Sequence, residues 1–227
     1  MTTSPTAATH FPANHLVDSN STNNSNATNT TPHISEVNTT SRHVAISINT
    51  AALNHNVSEV RRQTRAKVLA MIKANAYGHG VAQCLAALKD ADGVGVACFS
   101  EARDIRLLGW DKPIVLIEGV FSEEEWQRAL SFEMSCVIHH EPQVDWAINQ
   151  PPDCTEYPSH PSRTVWLKLN SGMNRLGFDA QSIIPVAARL HAAGYKLILT
   201  SHFANADEPQ NPINQQQIDT FNTVLEQ

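Results

Sequence analysis

The sequence predicts an α/β protein: a parallel (β/α) barrel of TIM type, incomplete at about six of its eight βα units, with a disordered N-terminal tail. Three observations predict it. From His43 onward, apolar runs of strand length alternate with amphipathic segments of helix length. From Lys67 onward the strand-like runs are apolar on both faces, as strands covered by helices on a parallel sheet must be. The first strand-to-helix turn reads Ala-Tyr-Gly-His-Gly and not G-x-G-x-x-G, which disfavours an open dinucleotide-binding sheet.

Residues 1–41 form the tail. Between Ser19 and Thr31 nearly every position is Ser, Thr or Asn, too little apolar surface to offset the chain entropy of folding. The N-x-S/T triplets there follow from that composition and carry no weight. The barrel portion is residues 42–227. Its strand candidates are 44–48, 67–72, 93–98, 113–117, 135–138, 164–169 and 197–201, with helices expected near 50–64, 79–90, 100–108, 122–131, 141–148, 180–193 and 211–226. Ser122 with Glu125 makes a capping box, and Gly109 and Gly194 stand where helices should stop.

Composition excludes several function classes. With 16 basic against 22 acidic residues the formal net charge is -6, without a block of like charge, which argues against nucleic acid or an anionic membrane as partner. There is no apolar run of membrane-spanning length and no secretory signal, so a soluble, cytoplasmic protein is expected. Cys84, Cys98, Cys136 and Cys154 are widely spaced and read as reduced thiols.

Functional groups of a parallel barrel sit at the C-terminal ends of its strands. Lys73 falls there, after Val68-Leu69-Ala70-Met71-Ile72, in a setting expected to be apolar. Burial disfavours an ammonium, and a neutral amine is what Schiff-base chemistry requires. The plain alternative is a strand-end lysine that snorkels to solvent. His139-His140-Glu141 has the residue types of a metal site, but adjacent residues on a turn point apart and no further ligand is spaced for closure, so no metal is expected.

Three segments carry a resemblance. Lys73-Ala-Asn-Ala-Tyr-Gly-His-Gly80 resembles the cofactor-lysine motif of alanine racemases, fold-type III pyridoxal 5′-phosphate enzymes. Trp166-Leu-Lys-Leu-Asn-Ser-Gly-Met-Asn-Arg-Leu-Gly-Phe178 resembles the family segment K-L-D-T-G-M-x-R-L-G, with Asn170 and Ser171 replacing the commoner Asp and Thr. Thr200-Ser-His-Phe-Ala-Asn-Ala-Asp-Glu208 resembles T-H-F-A-x-A-D-E. Without the family, Lys168, Arg175 and His202 would read as a strand lysine, a loop arginine and a structural histidine.

The resemblance implies that Lys73 binds pyridoxal 5′-phosphate as a Schiff base and serves as one of two catalytic bases, and that Tyr77 lies near the cofactor phosphate. It makes Arg175 the cofactor- and substrate-facing guanidinium, Lys168 a lysine open to carbamylation that orients Arg175, and His202 the residue facing the pyridine ring. His79 is read either as part of this motif or as a cap of the turn. The implied activity is interconversion of L- and D-alanine for D-alanine and peptidoglycan biosynthesis, by a homodimer whose second base is a tyrosine from the partner's C-terminal domain. Residues 43–227 carry the resemblance, so the last strands and the C-terminal β-domain are missing and the chain alone is expected to be inactive and poorly stable. The other readings are a noncatalytic pyridoxal phosphate-binding barrel, a racemase of another amino acid such as serine, and a fragment that works only with a separate C-terminal piece.

Overall fold

In the computed structural model, residues 46–151 and 161–227 are described. The expected disordered tail and Cys154 lie outside the described residues. Six strands, β1 (Leu69–Met71), β2 (Gly93–Val96), β3 (Ile114–Leu116), β4 (Ser135–Ile138), β5 (Thr164–Lys168) and β6 (Lys196–Thr200), form one sheet in sequence order. Every neighbouring pair is parallel, from Leu69 opposite Gly93 to Lys168 opposite Thr200. Parallel neighbours need a crossover, and helices supply each one, which curls the sheet into an open half-barrel.

The helices begin and end for local reasons. In α1 (Thr50–Gln63) the Asn49 side chain accepts a hydrogen bond from Ala52 N–H at 3.0 Å. The lysine turn α2 (Lys73–Tyr77), α3 (Val81–Leu85) and a short 3-10 turn, Ala86–Leu88, occupy the region where one helix over 79–90 was expected. Next come α4 (Phe99–Leu107) and α5 (Glu123–Ser131); the latter has the expected capping box, with Ser122 accepting from Glu125 N–H. They are followed by α6 (Glu141–Asn149), α7 (Ile183–Ala192) and α8 (Pro212–Leu225). Gly109 (φ 87°) and Gly194 (φ 90°) end α4 and α7 in the left-handed conformation that glycine adopts without a Cβ clash.

β2, β3 and β4 are buried throughout, because helices cover one face and the barrel interior the other. The outer layer is held by aromatic side chains whose polar tips are satisfied. Trp126 and Tyr195 meet edge to face at 6.3 Å, Trp126 Nε1 donates to Gln150 O, and the Tyr195 hydroxyl donates to Ala147 O. β1 and β6 are the two edges of the sheet, and their side chains Met71 and Ile198 remain 38% and 37% exposed.

One expected strand is corrected. Ile46–Ile48, the described part of the candidate 44–48, lies in no strand. Asn49, at the end of that run, instead caps α1, so the segment is spent on leading into a helix.

Candidate functional site

The strand ends converge as the barrel geometry requires, and each polar side chain at this rim comes from a different strand. Lys73 follows β1, Glu118 follows β3, His139 follows β4, Lys168 closes β5 and His202 follows β6. Lys73 Nζ stands 4.0 Å from Glu118 Oε1. The apolar setting expected for Lys73 is therefore not found: a carboxylate from a strand two places along the sheet faces it, and its side chain is 36% exposed.

Lys168 is the buried lysine, only 7% exposed. Burial holds its ammonium below the ordinary lysine range, the positive charges of Arg175 and Lys73 push the same way, and Glu118 opposes them. His202 is lowered by burial first and then by Lys168, Arg175 and Lys73. The same charges act on both groups because they share one space. Three cations meet one carboxylate there, which makes the mouth a receptor for anionic oxygens.

Tyr77 is placed differently. It ends the lysine turn and is 58% exposed. The turn itself is left-handed: Ala74, Asn75, Ala76 and Tyr77 have φ of 51–54°. Non-glycine residues pay about 1–2 kcal/mol each for that conformation, so the surroundings must over-determine it. Part of the compensation is local. Gly78 N–H donates to Ala74 O, Gly80 N–H to Asn75 O, and the Asn75 side chain accepts from Val81 N–H at 2.8 Å. His79 Nδ1 lies 2.8 Å from Ala76 O, so this imidazole caps the turn, one of its two expected roles.

Arg175 rides on a loop that leaves β5 and returns to it. Asn170 N–H donates to Phe178 O and Phe178 N–H to Lys168 O, closing the loop at its base. Asn170, which replaces an aspartate of the family pattern, accepts from Gly172 and Asn174 N–H and donates to the Asn174 side chain. Its amide supplies both the acceptor and the donor that this turn uses. Arg175, Lys168, Ser171, Ser201 and His202 line one shallow depression.

Sequence reasoning missed three residues of this region, Glu118, Gln143 and Gln217. His139, set aside with the metal reading, turns Nε2 to Glu118 O at 3.1 Å, and buried Gln143 donates to Glu118 O and Val120 O while accepting from His139 N–H. Gln217 of α8, 2% exposed, is the third. Its Oε1 accepts from Ala204 N–H, and its Nε2 donates to Ser171 Oγ and His202 O. Ser201 spends its proton on Leu169 O, so Ser171 is the donor in the 2.7 Å contact between the two hydroxyls. A continuous chain thus runs from α8 to the end of β5.

The histidines predict a pH dependence. Burial lowers His139, His140 and His202 from 6.5, so between their folded values and 6.5 the unfolded chain binds more protons. Stability is complete above that window and falls as pH drops through it. The urea midpoint at a pH of about 5.5 is expected below that at about 7.5, with the gap narrowed in His139→Gln. A midpoint that rises on acidification contradicts the assignment.

Comparison with known proteins fits this arrangement. Residues 48–227 match the family described as alanine racemase, N-terminal domain. An alanine racemase of Psychrobacter sp. (strain PRwf-1) is 57% identical over 189 residues, covering 82% of this chain and 49% of the relative. The solved alanine racemase of Acinetobacter baumannii superposes with a TM-score of 0.71 at 45% identity, covering 78% of this chain and 49% of that one. A histidine racemase from Leuconostoc mesenteroides gives 0.63 at 26% identity, covering 76% of this chain and 46% of that one. The chain spans about half the length of the curated relatives it matches. A family match over nearly the whole described region, on a half-barrel whose strand ends carry the matched motifs, leaves one conclusion: the chain belongs to the alanine racemase N-terminal domain family.

Proposed function

We propose that this chain forms the cofactor-holding half of a cytoplasmic, homodimeric, pyridoxal 5′-phosphate-dependent alanine racemase that supplies D-alanine for peptidoglycan. The observation that carries the reading is the meeting of Lys73, Lys168, Arg175 and His202 at one strand-end mouth. The donor set fits the group: an amine for its aldehyde, and an excess of cations for its phosphate and phenolic oxygen. When bound, the cofactor supplies an electron sink for the carbanion left by the departing α-proton.

Lys73 Nζ would hold the cofactor through its aldehyde and would take or return the substrate's α-proton on one face. The base for the other face is assigned to a tyrosine of the partner subunit's C-terminal domain. Arg175 would hold the cofactor's phenolic oxygen and face the substrate, His202 would face the pyridine ring, and the exposed Tyr77 would serve the phosphate. Lys168, whose burial favours the neutral amine, is the candidate for carbamylation, and the resulting anion would orient Arg175. Among the described residues no helix is long and apolar enough to cross a membrane.

Incubating the chain with pyridoxal phosphate, reducing with borohydride and mapping peptides tests the reading. The expected result is one dominant tag, on Lys73. Equal tags on many surface lysines, or a tag that survives Lys73→Ala, would overturn it. The likeness to a histidine racemase keeps a second reading open, a racemase of another amino acid. Comparing racemisation of alanine, serine and histidine in the complete protein separates the two.

A further inference from the structure

We propose that Glu101 is a positioning residue for Lys73: its carboxylate pins the left-handed turn that aims the lysine into the barrel mouth. The inference rests on the reading of Lys73 as the cofactor lysine.

Glu101 is the third residue of α4, the position from which a glutamate ordinarily reaches back to the start of its own helix. One oxygen does so, with Oε2 accepting from Ala97 N–H at 2.8 Å. The other crosses to a different strand end, where Oε1 accepts from Ala74 N–H at 2.7 Å. Ala74 directly follows Lys73 and is the first residue of the left-handed run. Its N–H begins a helical turn and has no carbonyl one turn earlier to receive it, whatever the hand of the helix.

The same carboxylate therefore fixes the ends of β1 and β2 against each other at the point where the backbone is most strained. Hydrogen bonds to an ionised acceptor are the strong kind. The remaining bonds of the turn join its own residues and the Val81 N–H, so they hold its shape but not its orientation on the sheet. Orientation comes from the edge of β1, where Ile72 N–H donates to Gly95 O, and from Glu101.

The structure contains a matched control. Glu125 is the third residue of α5, and its carboxylate accepts from Phe121 N–H just before that helix, as Glu101 accepts from Ala97 before α4. Glu101→Ala and Glu125→Ala each remove the bond at one such helix start, but only the first also removes a bond to the lysine turn. Glu101→Gln keeps a single acceptor oxygen and so loses either the Ala74 or the Ala97 bond.

Two measurements on the full chain decide the matter. Amide exchange at residues 73–78 is expected to quicken about tenfold in Glu101→Ala, the factor for one such bond, and to stay at the wild-type rate in Glu125→Ala. The fraction of borohydride-fixed pyridoxal phosphate on Lys73, relative to that on the other lysines, is expected to fall about tenfold in Glu101→Ala alone. Equal exchange in the Glu101 and Glu125 variants overturns the pinning role. A wild-type chain without a Lys73 tag overturns the cofactor reading, while the exchange result still tests the contact. Unchanged tagging beside quickened exchange shows that the pin does not aim the lysine, and the inference fails.

Discussion

Gly177→Ala is expected to destabilise the chain by about 3 kcal/mol or more and to displace the Arg175 loop. Gly177 has φ 113°, a region closed to side chains other than hydrogen. A Cβ there would lie 2.8 Å from Asn170 N and Lys168 O and 3.0 Å from Leu169 C. All three are backbone atoms at the end of β5, so no rotamer change relieves the overlap. They are also where the loop closes, through the two bonds between Phe178 and the end of β5. Opening that clip moves Arg175, two residues earlier, away from Lys168. Thermal unfolding is expected to shift down by roughly 5–10 °C. Gly109→Ala is the comparison, because Gly109 also has positive φ but a Cβ there meets nothing within 4 Å. Equal shifts in the two variants would show that close packing at Gly177 is not what requires glycine.

Much of this is legible in the sequence, for reasons that differ by residue. Runs such as Gly93–Val96 and Ile114–Leu116 are apolar on both faces because helices and barrel interior bury both, and that pattern survives in one dimension. Lys73, Lys168 and His202 stand out in the sequence because short motifs surround them. The strand-end rule, applied to Glu118 and His139, would have found those two as well, since each directly follows an apolar strand run. The handedness of Lys73–Tyr77 was not legible. Ala, Asn and Tyr do not encode a left-handed turn, and a partner on α4 helps to impose it. The surroundings of Lys73 were misjudged because only its own strand was considered, whereas its neighbour Glu118 comes from β3. The strand expected at 44–48 is not formed at its described residues 46–48, because an apolar alternation of that length serves equally well as the lead into a capped helix.

Gln217 was invisible for another reason, and its replacement carries the second large expected effect. In the run Pro212-Ile-Asn-Gln-Gln-Gln a glutamine reads as solvent-facing helix surface, yet Gln217 is buried and every polar atom of its side chain is used. Gln217→Leu keeps the approximate volume but leaves Ala204 N–H, His202 O and the Ser171 hydroxyl short of a partner. A buried group left unpaired costs about 1–3 kcal/mol, and of these three only Ser171 is buried while water can reach the exposed Ala204 and His202, so a net loss of about 1–3 kcal/mol is expected. The damage should reach the site. With its carbonyl released, His202 is free to turn away from Lys168, Arg175 and Lys73, whose charges add to burial in lowering its imidazole. Its titration, followed by NMR, is expected to rise toward the ordinary histidine value in Gln217→Leu, alongside the fall in unfolding midpoint. Gln217→Glu, which keeps the acceptor for Ala204 but loses both donors, should show the same rise. If the midpoint falls while the His202 titration stays where it was, Gln217 supports α8 alone and does not place the histidine.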